Sequence, residues 1–263
     1  MFRFALSLIL GMFVLSTAQA KVIGQDVKYS VDGQEMTGYL AYDDSINGAR
    51  PGVLVVHEWW GHNPYARKRA EMLASLGYTA LALDMYGTGK LADHPKDAKT
   101  FMMETMSNIA VAEKRFDAAH ALLKSQPQVD GERTAAIGYC FGGGVVLHAA
   151  RTGRDLDGVI SYHGSLKPMM KAEKGVVKAQ VRAFNGADDP FVKPEEIAAI
   201  KQEMQDAGVD FRFVNYPGAV HSFTNPDADD FAKRFKMPVG YNAAADADSW
   251  AQTRAFLRDI FAR

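Results

Sequence analysis

The segment Gly138-Tyr139-Cys140-Phe141-Gly142-Gly143-Gly144 most narrows what this chain can become. The residues before it, 134–138, predict a short apolar strand, and those at 142–151 predict a helix. A strand that passes into a helix through so few residues must turn sharply. The central residue then takes a strained backbone conformation, and the residues two positions to either side must lack side chains. Glycines stand at both places. The bend lifts the Cys140 side chain above a sheet edge and aims the following N–H into the same space. The helix start beneath it favours negative charge, a thiolate included.

The remaining pattern agrees with an α/β architecture. Residues 27–31 and 36–42 predict strands joined at Asp32-Gly33, a hairpin signal. Residues 53–57 form a continuous apolar run, which suits a strand buried on both faces, and 78–83 form another. Further strands are predicted at 159–163, 181–185 and 211–216. Helical spacing occurs at 64–76, opened by Pro64 and stopped by Gly77, and at 97–124, with a break at Ser107-Asn108. It returns at 194–207 and 243–261. Alternating strands and helices predict a mostly parallel sheet with an N-terminal antiparallel hairpin and helices on both faces. Residues 221–242 show no periodicity and predict a long loop. With no repeat or linker in view, residues 21–263 are expected to form a single domain.

Composition excludes several classes. A chain that is 48% hydrophobic and 23% charged is not disordered, and a net charge of −1 offers no basic face for nucleic acid. The single Cys forms no internal disulfide and no zinc cluster. Residues 1–20 have the form of a signal peptide: Arg3, an apolar run to Leu15, then Ala18-Gln19-Ala20. The run is short of the ~20 residues of a spanning helix. The expectation is a leader removed on export, with a periplasmic or secreted mature chain and no stable membrane insertion. In an oxidising compartment a lone thiol is either buried and inert or kept for its chemistry.

The chemistry follows from the bend. G-x-C-x-G between strand and helix is the nucleophile-elbow pattern with Cys in place of Ser. Such a nucleophile needs a base, and the base an orienting acid, both later in the chain. Downstream lie His148, His163 and His221. His148 falls inside the helix after the elbow, and His163 ends a strand and could line a cleft. His221 follows the last predicted strand on a loop, where a base belongs, and is the expected one. The acid is expected on the loop Gly186-Ala187-Asp188-Asp189-Pro190-Phe191-Val192. The spacing G-x-x-D-x-x-V selects Asp189, with Asp188 the alternative. His57-Glu58-Trp59-Trp60-Gly61-His62 follows the first buried strand. It is not a zinc motif, because Gly61 stands where the second His would be.

Taken together, these blocks resemble the dienelactone hydrolase family of α/β hydrolases. The resemblance rests on Gly-Tyr-Cys-Phe-Gly-Gly, Gly-Ala-Asp-Asp-Pro-Phe-Val, His-Ser-Phe from His221 and His-Glu-Trp-Trp-Gly from His57, in that family's order and spacing. It implies a Cys140–His221–Asp189 triad, and a Glu58 carboxylate that contacts the resting thiol. It also implies an oxyanion hole from the N–H groups of Phe141 and Trp59, and no metal or organic cofactor. Trp59, Trp60 and Tyr86 are expected to wall the pocket. The arginines that hold the dienelactone carboxylate in well-known members are replaced here by Gly87-Thr88 and Asn225, with Arg67 or Arg69 as substitutes. The expected partner is a small-molecule ester or lactone, hydrolysed by a monomer through an acyl thioester. The rival readings are a non-catalytic binding protein on this scaffold, thiol redox work, and a serine esterase.

Overall fold

The computed structural model describes residues 21–262; the expected leader at 1–20 lies outside them. Strands β1 (Val22–Val31) and β2 (Gln34–Asp43) run antiparallel. Between them Asp32 and Gly33 have φ of 49° and 81°, the left-handed pair whose twist matches that of a hairpin. Six strands follow: β3 (Arg50–Val56), β4 (Thr79–Leu83), β5 (Val129–Tyr139), β6 (Gly158–Tyr162), β7 (Gln180–Gly186) and β8 (Phe211–Tyr216). They join one sheet in the order β1-β2-β4-β3-β5-β6-β7-β8, antiparallel from β1 to β4 and parallel beyond.

The apolar runs of the central strands are buried because helices cover both sides. On one face Leu54 and Val56 pack with Phe116 and Leu123 of α3 (Ile109–Lys124), Val146 of α4 (Phe141–Arg151) and Met204 of α5 (Pro194–Asp206). On the other, Val53 and Val55 meet Leu73 of α1 (Pro64–Ala74) and Leu257 of α7 (Ala243–Phe261). The predicted break at Ser107-Asn108 separates α2 (Pro95–Met106) from α3. The predicted long loop contains a helix, α6 (Ala228–Phe235), and the strand predicted at 134–138 starts earlier, at Val129.

The chain leaves β3 for β4 on one side and returns past it to β5 on the other. The loops after β3 and β5 therefore part at the carboxyl edge of the sheet, the place where α/β folds bind ligands. These are the loops that carry Glu58 and Cys140. Among the described residues no helix is long and apolar enough to cross a membrane.

Candidate active site

Cys140 sits between β5 and α4 at φ 53° and ψ −113°. That conformation costs a non-glycine residue about 1–3 kcal/mol, and the surroundings hold it. The Cys140 N–H is shared between the Tyr162 carbonyl at 3.0 Å and His163 Nδ1 at 3.1 Å. The Gly142 N–H donates to the His57 carbonyl at 3.1 Å. The sulfur-bearing residue is half-buried. Among the described residues, no protein acceptor takes the N–H of Phe141 or of Trp59.

The glycines answer to backbone, not to side chains that might move. A Cβ on Gly142 would lie 2.7 Å from the His57 carbonyl oxygen and closer still to that of Val56. On Gly144 the nearest atom would be Ser165 Cβ at 3.6 Å, an ordinary contact. Gly142→Ala is therefore expected to cost about 3 kcal/mol. A thermal melt would register this as a fall of about 6–12 °C, with Gly144→Ala close to the parent.

Asp189 and His221 meet across the ends of β7 and β8. Asp189 Oδ1 accepts the Phe191 N–H at 2.8 Å, and Oδ2 accepts from His221 Nδ1 at 2.8 Å. With Nδ1 donating to the carboxylate, the other ring nitrogen is left for the Cys140 sulfur, the ring's second hydrogen-bond partner. Burial alone would lower the His221 pKa. The charge on the Cys140 sulfur and the hydrogen bonds to Asp189 and Cys140 outweigh it and push the ring up to about 10. Phe191 stands edge-on to the ring at 5.1 Å. The loop is pinned where the Gly240 N–H donates to the His221 carbonyl at 3.1 Å, a bridge that pairs His221 with Val239. Asp188, the alternative acid, is exposed and uses its N–H on the Ala219 carbonyl.

Glu58 lies behind this group, 1% exposed. Its Oε1 accepts the Ser222 hydroxyl at 2.9 Å, and its Oε2 accepts Asn225 Nδ2–H at 2.6 Å. Burial raises its pKa, and those two hydrogen bonds pull the other way. Both oxygens are thus engaged by the segment that carries His221. Among its hydrogen bonds to described residues, none reaches Cys140.

The aromatic residues divide. Trp59 is half-buried beside Trp60, at 5.1 Å between rings. Trp60 itself is buried against Phe231 and Phe235 of α6, at 4.5 and 6.1 Å. Tyr86 is 1% exposed; its hydroxyl donates to the Trp59 carbonyl and its ring packs on Phe141 and His57. Trp60 and Tyr86 therefore brace the loop from within, and Trp59 offers more surface.

The other histidines and the arginines are committed elsewhere. His148 pairs with Glu113 at 2.7 Å. His163 does not line a cleft; it is fully buried beneath the elbow. Arg69 is buried and donates to the Thr224 carbonyl at 2.6 Å and to Asp246 at 2.7 Å. Arg67 pairs with Asp26 at 2.9 Å. Arg69 is thus tied up in the interior, and Arg67 is drawn toward the hairpin, over the Tyr39 ring at 5.0 Å. Ser222 and Thr224, which sequence reasoning did not place at the site, and Asn225, noted there only as standing in place of an arginine, hold its buried groups. For Ser222 and Thr224 the signal was the His-Ser-Phe block that opens the segment. Among the described residues no group of three or more His, Cys, Asp or Glu is arranged to hold a metal ion.

Comparison with known proteins bears on this geometry. A model of the dienelactone hydrolase family matches residues 36–261. Protein usf of Aquifex pyrophilus is 28% identical over 242 residues, spanning 90% of this chain and 99% of that protein. A Bradyrhizobium protein named "Probable 2-oxo-3-(5-oxofuran-2-ylidene)propanoate lactonase" is 26% identical over 242 residues, spanning 88% of this chain and 92% of its own. Among solved structures, a dienelactone hydrolase-like promiscuous phosphotriesterase from metagenomic libraries has a TM-score of 0.87 at 35% identity, covering 92% of this chain and 100% of that one.

Proposed function

The chain belongs to the dienelactone hydrolase family, and from that premise we propose that it hydrolyses uncharged carboxylic esters or lactones through Cys140. The observation that carries the reading is a sulfur at a positive-φ bend, hydrogen-bonded to an imidazole whose other nitrogen is held by a buried carboxylate.

Cys140 attacks the carbonyl carbon as the thiolate, forming a C–S bond while the carbonyl oxygen becomes an oxyanion. The N–H groups of Phe141 and Trp59 receive that oxyanion, each worth about 3 kcal/mol. His221 passes its proton to the leaving alkoxide and leaves an acyl thioester. It then takes a proton from water, which attacks the thioester and releases the acid. Asp189 keeps Nδ1 protonated and steadies the imidazolium. Export of the mature chain behind a leader at residues 1–20 is part of the same proposal.

The charge balance supports an uncharged substrate. His221 feels the charges of Cys140 and Asp189. Arg69 is the cation that acts on Glu58 besides His221, and it is ion-paired with Asp246. A substrate carboxylate would add a further negative charge beside those of Cys140 and Asp189, a cost on the order of 1–3 kcal/mol.

The test pairs p-nitrophenyl butyrate with mono-p-nitrophenyl succinate. A burst of nitrophenol equal to the enzyme, an acyl mass on Cys140, and kcat/KM about tenfold or more in favour of the butyrate are expected. Absence of turnover and of adduct would end the hydrolase reading. A preference for the succinate would end only its neutral-substrate part.

A further inference from the structure

His163 directly follows β6, next to the elbow, with φ of 38° and no exposure. Its ring uses both nitrogens. Nδ1 accepts from the Cys140 N–H, so that nitrogen carries no hydrogen. Nε2 therefore carries it and donates to Thr224 Oγ1 at 2.8 Å. Burial, with the positive charges of His221 and Arg69, drives the ring's pKa well below the usual imidazole value. The Thr224 hydroxyl is also bonded to Tyr65 OH at 2.6 Å, and Tyr65 accepts Arg69 Nε–H at 3.2 Å. Arg69 closes the circuit on the Thr224 carbonyl.

One rigid ring thus spans the backbone of the sulfur-bearing residue and the segment that begins at His221. Its plane stands at 63° to the His221 ring, with centroids 5.3 Å apart. Glu58 grips the same segment at Ser222 and Asn225. The base loop is therefore held by two buried clamps, and only the His163 clamp is tied directly to the Cys140 backbone.

We propose that His163 is a positioning residue that sets the gap between the Cys140 sulfur and the His221 ring by tying the Cys140 N–H to Thr224. The proposal rests on the hydrolase reading above. A buried ring needed only for packing would be replaceable by any side chain of similar bulk. This one is bonded at both ends to the two moving parts of the reaction.

Three variants test it in the full chain: His163→Asn, which tolerates a positive φ, Thr224→Val, which removes the hydroxyl at constant shape, and Thr224→Ser, which keeps it. A misplacement of a fraction of an ångström is expected to lower kcat about 10–30-fold in His163→Asn and Thr224→Val, with KM within about twofold. Thr224→Ser should stay within about threefold of the parent, and the double variant should be no worse than the weaker single one, because both cut one tie. The pH profile of Cys140 alkylation by iodoacetamide, which needs no ester, should shift in the two damaged variants and not in Thr224→Ser. Parent-like kcat and alkylation in folded His163→Asn or Thr224→Val would overturn the proposal, as would additive losses in the double variant. If the parent alkylates but turns over no ester, the hydrolase reading has failed instead.

Discussion

Alanine in place of Cys140 is expected to lower kcat/KM toward p-nitrophenyl butyrate by on the order of 10⁵-fold, with the melting temperature within about 2 °C of the parent. The two halves of this expectation have separate causes. The bend is held by the Cys140 backbone, through its bonds to Tyr162, His163, Gly143 and Gly144, and alanine keeps all of them. The side chain's polar partner is His221, so its loss strips the reaction of the atom that forms the acyl bond. The same change should lower the His221 pKa, because the sulfur's charge leads the influences that raise it. An imidazole titration by NMR in the variant would register that fall. Retention of a tenth of the parental activity in a folded Cys140→Ala protein would remove the nucleophile from the account. Serine at the same position should not rescue it. A hydroxyl is far harder to ionise than a thiol, and without the sulfur's charge the imidazolium that would pair with an alkoxide is itself less favoured.

Asp189→Asn should cost about 10³-fold in kcat, by analogy with the loss of the orienting acid in other triads. The buried acid makes two contacts of different sense. Oδ1 accepts the Phe191 N–H and Oδ2 accepts from His221. An asparagine that keeps the first with its oxygen turns its NH₂ toward the imidazole, which then must accept at Nδ1 and loses its orientation. The pH dependence has a definite sign. The folded-state His221 pKa lies above its ordinary value of 6.5, at about 10. The stability this adds is fully present below pH ~6.5 and is lost as pH rises through about 10. Activity that depends on the protonated ring should fall over the same alkaline range, and Asp189→Asn should bring that limb to lower pH. A pH–rate profile of the variant with an unmoved alkaline limb would show that the carboxylate does not govern the ring.

What the sequence disclosed was local. The elbow, the hairpin at Asp32-Gly33 and the break before α3 each declare themselves through glycine, proline or a lapse in periodicity within a few residues. Asp189 was separable from Asp188 by spacing, and the fold buries the one and exposes the other. Helix α6 was missed because its eight residues bring only Ala228, Phe231 and Phe235 inward between charged positions, too short a stripe to establish a period. Arg69 was misjudged as a candidate for the cleft although its register was visible. It shares a face of α1 with Tyr65, Ala66, Ala70 and Leu73, all buried. The grip of Ser222 and Asn225 on Glu58, and of Thr224 on His163, had no local signature. Those contacts exist only once loops distant in sequence are folded onto one sheet edge.

The bridge between His221 and Val239 has an architectural consequence. It closes the intervening stretch into a loop whose two ends are stitched together, so α6 hangs from a closed ring of chain. Chain inserted or deleted within such a ring changes its closure entropy only slowly with length. The imidazole is fastened at the stitch and by the grips on Ser222, Thr224 and Asn225, not by the helix. A library of natural or designed segments spliced between Asn225 and Val239, past the residues that grip Glu58 and His163, could re-sculpt the shape presented to incoming molecules while the reactive apparatus stays in register, which makes that part of the ring the natural splice point for breeding new selectivities.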